Sequence, residues 1–300
     1  MAEETAHIYD CIIVGAGPGG LQAGIYLGRY NRDVLIVDRG GGRTHHAKHI
    51  ENYLTQKAIS GKEIIELGKE QARGFHVGIE KGEVMSVRKE ENTFSVYTKE
   101  KDYAAKFALV SSGAQDNLPP ELEGIHRFLG TTFFTCVDCD GYRTTGKKLA
   151  VIGNSLKTVH LAFAMKEMFT KDITVVLYFH DVPPDYKEEM EKEGIGLVMG
   201  RPVRIIGQEK MEAVEMKDGR IVPCECIMSN FGYRLNDAFL SGLQLQRDNA
   251  TLKYITNRTY ESSLDGLYIV GPLTGNDQVA IAAGEGAIAA IEINKRLLRI

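Results

Sequence analysis

A glycine series, Gly15-Ala16-Gly17-Pro18-Gly19-Gly20, constrains the fold more than any other stretch of this 300-residue chain. Upstream, Ile8-Tyr9-Asp10-Cys11-Ile12-Ile13-Val14 reads as a buried strand, and downstream a helix runs to about Tyr30. A second apolar run, Val34-Leu35-Ile36-Val37, then ends in Asp38. Strand, tight turn, helix and strand in that order open a doubly wound parallel sheet. Gly15 permits the turn, Gly17 lets backbone approach a diphosphate, and Gly20 lets the helix pack closely on the strand. Asp38 is placed to take a ribose hydroxyl pair.

The pattern restarts later. Leu149-Ala150-Val151-Ile152 reads as a strand, residues 155–168 as a helix, and Ile173-Thr174-Val175-Val176-Leu177 as a strand. Residues 60–74 and 278–298 read as helices, and 76–110 as a small antiparallel insert. Pro119-Pro120 marks a crossover. The expected fold class is α/β, with two Rossmann-like domains and the second inserted in the first. The expected boundaries are 1–116 plus 246–300 for one domain and 117–245 for the other.

A net charge of −4 is too mild for nucleic-acid binding. No apolar run approaches the ~20 residues that cross a bilayer. Met1-Ala2-Glu3-Glu4 lacks the basic and apolar regions of a signal peptide, so a cytoplasmic location is expected. In that compartment a close cysteine pair is more often catalytic or metal-binding than structural, and five cysteines, an odd number, do not suggest a disulfide framework.

Cys136-Val137-Asp138-Cys139-Asp140 therefore stands out. A C-x-x-C pair can close a small redox loop or supply half of a zinc site, and zinc needs further ligands. Cys224-Glu225-Cys226 has unusual spacing for zinc and is expected in one strand, both sulfurs on one face, as packed core-edge residues. Cys11 reads as a small buried hydrophobe. His45, His46 and His49 suit a surface or cofactor-loop role better than a metal site. The redox reading of Cys136 and Cys139 is favoured, and Asp140 beside the second sulfur can shuttle the proton that thiol–disulfide exchange needs.

Together these residues resemble the low-molecular-weight thioredoxin reductase family nearly end to end. The likeness rests on Gly15–Gly20, Asp38, Gly40-Gly41-Gly42-Arg43, Glu51-Asn52, the Cys136–Gly141 redox signature and Gln278–Gly286. It implies a flavin-dependent disulfide oxidoreductase with FAD at Gly15, Gly17, Pro18, Gly20, Asp38, Arg43, Asn52, Gly271, Gln278 and Val279. It also implies that Cys139 faces the flavin, Cys136 exchanges with a thioredoxin-like partner, Asp140 is the acid/base, and the protein is a homodimer. No metal is expected.

The chain departs from the family at its second nucleotide motif, Gly153-Asn154-Ser155-Leu156-Lys157-Thr158. A Cβ at Ser155 crowds a pyrophosphate, and a β-branched Thr158 is expected to obstruct strand–helix packing. The family's basic cluster for a 2′-phosphate aligns with Phe179-His180-Asp181, where a carboxylate repels phosphate. NADPH is therefore not expected as donor, and the degenerate slot is left open to a second flavin, another ligand or nothing. The resemblance is then to the NADPH-independent branch, the ferredoxin-dependent flavin thioredoxin reductases and diflavin disulfide oxidoreductases. Arg143, Lys147, Lys148, Lys157, Lys166 and Lys171 against Glu167 and Asp172 would suit an acidic ferredoxin. The family's Gly-Asp pair reads Gly271-Pro272, which removes a contact to the flavin's ribityl–phosphate region. Two other readings stand beside this one: an NAD(P)H-dependent thioredoxin reductase with an atypical site, and a flavin-binding regulatory protein.

Overall fold

The computed structural model describes residues 7–178 and 181–298. The Met1–Glu4 segment used for the localisation reading lies outside them, as do Phe179 and His180. The chain divides into two units, residues 1–115 with 234–300, and residues 116–233.

The first unit begins with β1 (Ile8–Val14), the glycine turn, α1 (Pro18–Arg29) and β2 (Val34–Asp38). It continues through α2 (Arg43–His46), α3 (Gly61–Gly74), β3 (Gly78–Lys81), β4 (Val84–Glu90), β5 (Thr93–Thr98) and β6 (Asp102–Val110). Helix α3 starts where Ser60 Oγ accepts the Glu63 N–H at 3.1 Å, a side-chain N-cap. At the crossings, β7 (Ala114–Asp116) pairs with a later strand, Tyr233–Leu235.

In the second unit come α4 (Ile125–Phe128), β8 (Phe133–Phe134), α5 (Val137–Asp140), β9 (Leu149–Gly153), α6 (Lys157–Met168), β10 (Ile173–Leu177), α7 (Pro184–Lys192) and β11 (Gly196–Met199). A small antiparallel sheet of β12 (Pro202–Ile206), β13 (Ala213–Met216) and β14 (Ile221–Pro223) precedes β15 (Cys226–Asn230) and β16 (Tyr233–Leu235). The chain then returns to the first unit for β17 (Leu267–Ile269) and α8 (Val279–Leu297).

The first unit's sheet runs β3-β2-β1-β6-β5-β4, with β17 also on β6. The 76–110 stretch is therefore not a separate insert: β4 and β5 extend the main sheet as an antiparallel flank. Alternate residues of β1 feed two cores. Cys11 and Ile13 face α1, α3 and α8, while Ile12 and Val14 face β4, β5 and the 240–254 segment. Register aligns the strand ends. Val14 pairs with Val37 of β2 and Val110 of β6, and Ile269 of β17 pairs with Val110. The four parallel strands thus end at one level, and Gly15, Asp38, Ser111 and Gly271 emerge together at the carboxyl edge, where ligands bind in open α/β sheets.

The second unit has a parallel sheet ordered β11-β10-β9-β15-β8, with α6 against β9 and β10. The α/β class and the two Rossmann-like units, one inserted in the other, are as expected. The second crossing falls at 233/234, earlier in the chain than the expected 245/246, because residues 235–245 pack with Leu235, Phe239, Leu240, Leu243 and Leu245 in the first unit's core. Cys224 and Cys226 also differ from expectation. The chain bends between β14 and β15, so Cys224 sits in one core beside Met211 and Cys226 in the other, against the Lys148 carbonyl.

Candidate functional site

At the carboxyl edge of the first unit lies a cavity of about 580 Å³, within the range of small-molecule and cofactor sites. The glycine turn builds one wall. Gly15 has φ +101°, and a Cβ there would stand 2.5 Å from Ser111 O. A Cβ on Gly20 would stand 2.0 Å from Gly15 O, so the close contact of helix on turn requires glycine. Helix α1 has no side-chain cap and no acidic residue in its first turn. Its free N–H groups remain for an anion at the cavity.

Of the sequence-predicted cofactor residues, Gly15, Gly17, Pro18, Asp38, Arg43, Gly271, Gln278 and Val279 line this cavity. Gly20 lies behind it in the α1 contact. Asn52 joins through its side chain, whose Nδ2 donates to Gln278 Oε1 at 3.1 Å. Asp38 accepts the Ala16 N–H at 3.1 Å through Oδ1, which fixes the carboxylate at the turn. Arg43 and Asp277 form an ion pair at 2.8 Å, both about a quarter exposed, joining α2 to the start of α8. Sequence reading missed the opposite wall. Asn236 donates to Ser112 O at 3.0 Å, Ser112 Oγ donates to Asn236 O at 2.6 Å, and Arg39 donates to Asn236 Oδ1 at 3.0 Å. Asp237 is held by Arg247 at 2.8 Å and by the Tyr254 hydroxyl at 3.0 Å. A signal for Ser111-Ser112-Gly113 existed, a polar turn straight after a buried parallel strand; for Asn236 and Asp237 there was none. His45 also lines the cavity, and His46 Nε2 lies 3.2 Å from Gly41 O.

In the second unit Cys136 and Cys139 are joined as a disulfide, and both are half-buried. Cys136 is the N-cap of the single-turn α5, and its Sγ accepts the Cys139 N–H at 3.1 Å. A backbone N–H on that sulfur favours the thiolate once the disulfide opens. Asp140 follows directly. Its Oδ1 lies 3.4 Å from Arg143 Nη1, and Arg143 also donates to Gly130 O at 3.2 Å and stacks over the Phe134 ring. Of the basic stretch, Arg143 is thus turned to Asp140, whereas Lys148, Lys157 and Lys171 are exposed. The buried thiols of Cys224 and Cys226 are pushed up to about 12 by burial, and that of Cys11 also rises, so none is a ready nucleophile. Among the described residues no group of three or more His, Cys, Asp or Glu could hold a metal ion.

The degenerate motif joins β9 to α6. Thr158 does not obstruct their packing, contrary to expectation. It is fully buried against Gly153, and a Cβ on Gly153 would stand 2.0 Å from Thr158 Oγ1. The space of the absent Cβ takes the larger side chain. The Thr158 hydroxyl is left without a hydrogen-bond partner. Asp181, past the end of β10, is exposed. The hydrogen bond and charge of Lys187 hold its carboxyl below the ordinary range, so Asp181 stands ionised in an ion pair with Lys187 at 2.9 Å.

A profile of the pyridine nucleotide-disulphide oxidoreductase family matches residues 9–287. The thioredoxin reductase of Aquifex aeolicus is 26% identical, over 99% of this chain and 96% of that one. A 34.2 kDa protein in the rubredoxin operon of Clostridium pasteurianum is 24% identical, over 95% of this chain and 96% of that one. The crystal structure of HlmI superposes with a TM-score of 0.90 at 25% identity, covering 99% of this chain and 95% of that one.

Proposed function

The chain belongs to the pyridine nucleotide-disulphide oxidoreductase family, and we propose that it is a thioredoxin reductase-type enzyme whose electrons come from a low-potential iron–sulfur protein of the ferredoxin class rather than from NADPH. That it is an FAD-dependent disulfide oxidoreductase follows from the family and from its thioredoxin reductase relatives. The observation that carries the finer reading is the disulfide of Cys136 and Cys139 with Asp140 beside it, in a chain whose first unit has a cavity at an intact glycine turn and whose second carries the degenerate motif Gly153–Thr158.

The residues present fit FAD. A Cβ at Gly17 would meet only Ser111, no closer than 3.7 Å, and would otherwise stand in the cavity, so the turn leaves room for a diphosphate. The first turn of α1 would supply N–H donors to it, Asp38 would take the ribose hydroxyls, and Gln278, fixed by Asn52, would stand with Val279 at the start of α8, whose positive end suits the electron-rich flavin. When bound, FAD supplies the means to take electrons singly and return them as a pair to the disulfide.

The chain's own sulfurs do the rest. Once the pair is reduced, the Cys136 thiolate attacks one sulfur of the partner disulfide. One S–S bond forms, one breaks, and a partner thiolate leaves. Asp140 is the proton donor to that leaving group. The Cys139 thiolate then attacks Cys136 Sγ, the Cys136–Cys139 bond re-forms, and the partner departs as a dithiol carrying two electrons. Thioredoxin sits at about −270 mV, so a low-potential donor makes the transfer downhill.

Against NADPH stand Ser155, whose Cβ crowds the diphosphate position, and the charge of Asp181. One observation favours the second reading, an NAD(P)H-dependent enzyme with an atypical site: Thr158 packs on Gly153 without displacing α6. The sulfur roles are tested by trapping. Cys139→Ser should accumulate a mixed disulfide between Cys136 and thioredoxin on non-reducing gels, and Cys136→Ser should not. Trapping by Cys136→Ser alone would reverse the assignment.

A further inference from the structure

Glu285 is the one buried carboxylate in the chain's described core, 1% exposed in the middle of α8 on a face otherwise of glycine, alanine and Ile293. Burying a charge is unfavourable unless it is hydrogen-bonded or paired. Among the described residues no cation pairs with it. Its partners come instead from the loop between β17 and α8. The Gly271 N–H donates to Oε2 at 2.5 Å, and Asn276 Nδ2 donates to Oε1 at 2.7 Å.

The two loop donors are the two ends of one segment, Gly271–Asn276. Gly271 and Pro272 at its start line the cofactor cavity, as do Asp277 and Gln278 just past its end. Within the segment, the Thr274 hydroxyl donates to Gly271 O at 2.8 Å and Lys253 Nζ donates to Pro272 O at 3.2 Å. The loop is therefore wrapped around an internal anion set behind the cavity wall. Pro272 has no N–H and no charge of its own, and it stands where the resembled family carries an acid.

We propose that Glu285 is a positioning residue for the cofactor: its carboxylate pins both ends of the 271–276 loop and so sets where Gly271, Pro272, Asp277 and Gln278 stand against the flavin-bearing half of FAD. The inference rests on the FAD assignment above. Glutamine at 285 tests it with little change of shape. A carboxylate offers two acceptor oxygens and a charge, whereas glutamine can keep both ends only if the Asn276 amide flips to accept from its NH2; leucine at 285 offers neither end an acceptor. The adenosine half of FAD would be held by the turn after β1, by α1 and by Asp38, none of which hydrogen-bonds to Glu285.

The experiment measures dissociation constants for FAD and for ADP on the full-length protein stripped of flavin, wild type, Glu285→Gln and Glu285→Leu, with far-UV circular dichroism as a check on folding. The expected result is an FAD dissociation constant raised about tenfold or more in Glu285→Leu and by less in Glu285→Gln, with ADP affinity unchanged within about twofold. An FAD constant within twofold of wild type in folded Glu285→Leu overturns this inference alone. Parallel losses of FAD and ADP affinity also overturn it, since they mark a general structural role. Wild-type protein that binds ADP but no FAD overturns the FAD assignment and this inference with it.

Discussion

At the residue scale, acids with different surroundings are set to different tasks. Asp140 sits beside a half-buried sulfur pair with Arg143 at 3.4 Å. Asp38 is fixed by a backbone N–H at the glycine turn. Glu285 is sealed inside, and burial raises its pKa above the ordinary 4.5, with the Gly271 and Asn276 hydrogen bonds pulling the other way. The native state therefore holds this proton more tightly than the unfolded chain. The stabilisation from Glu285 is complete below about pH 4.5 and declines as pH rises through the folded-state value. In Glu285→Gln that part of the decline should be absent, so denaturant midpoints measured from about pH 4 upward should fall less with pH than in wild type. Equal slopes would show that the buried carboxylate does not titrate as described.

At the element scale, two strand–turn–helix units share one plan with different side chains. In β1–α1 the plan is tight. A Cβ on Gly20 would stand 2.0 Å from Gly15 O, which is backbone and cannot yield. Gly20→Ala should cost about 3 kcal/mol or more, at or above the usual overpacking range, read as a lowered denaturation midpoint. In β9–α6 the fit is looser in chemistry though not in space. Thr158 fills the gap at Gly153 with a hydroxyl that has no partner. Thr158→Val keeps the shape and removes the unpaired group, so it should stabilise the protein by about 1 kcal/mol in denaturant unfolding. A loss of stability would mean that the hydroxyl is satisfied in solution.

These elements also show what can be read from sequence and what cannot. The glycine turn, Asp38 and the cysteine pair were legible because each needs particular residue types at particular spacings. Gln278 and Asn52 were legible only through resemblance; nothing local announces that they meet across 226 positions. Asn236, Asp237 and Glu285 were not legible. Their roles come from segments folding back on the sheet's carboxyl edge, and a single polar residue in a loop or an alanine-rich helix carries no periodic signal. The reading of Thr158 failed because it considered the larger side chain without the glycine facing it. That of Cys224 and Cys226 failed because a bend interrupts what looked like one strand.

At the scale of the whole molecule, the chain combines a flavin-type cavity in one unit with a redox disulfide in the other, and no helix among the described residues is long and apolar enough to cross a membrane. The family fixes the class of chemistry; the donor is this chain's own question, because the second nucleotide motif keeps its strand, its helix and Gly153 but not the later glycines. The most direct test is an anaerobic titration of the FAD-loaded protein monitored by flavin absorbance, with NADPH, NADH and reduced ferredoxin added separately. Bleaching by reduced ferredoxin with none by either nicotinamide is the predicted result. Rapid bleaching by NADPH with none by reduced ferredoxin would contradict it.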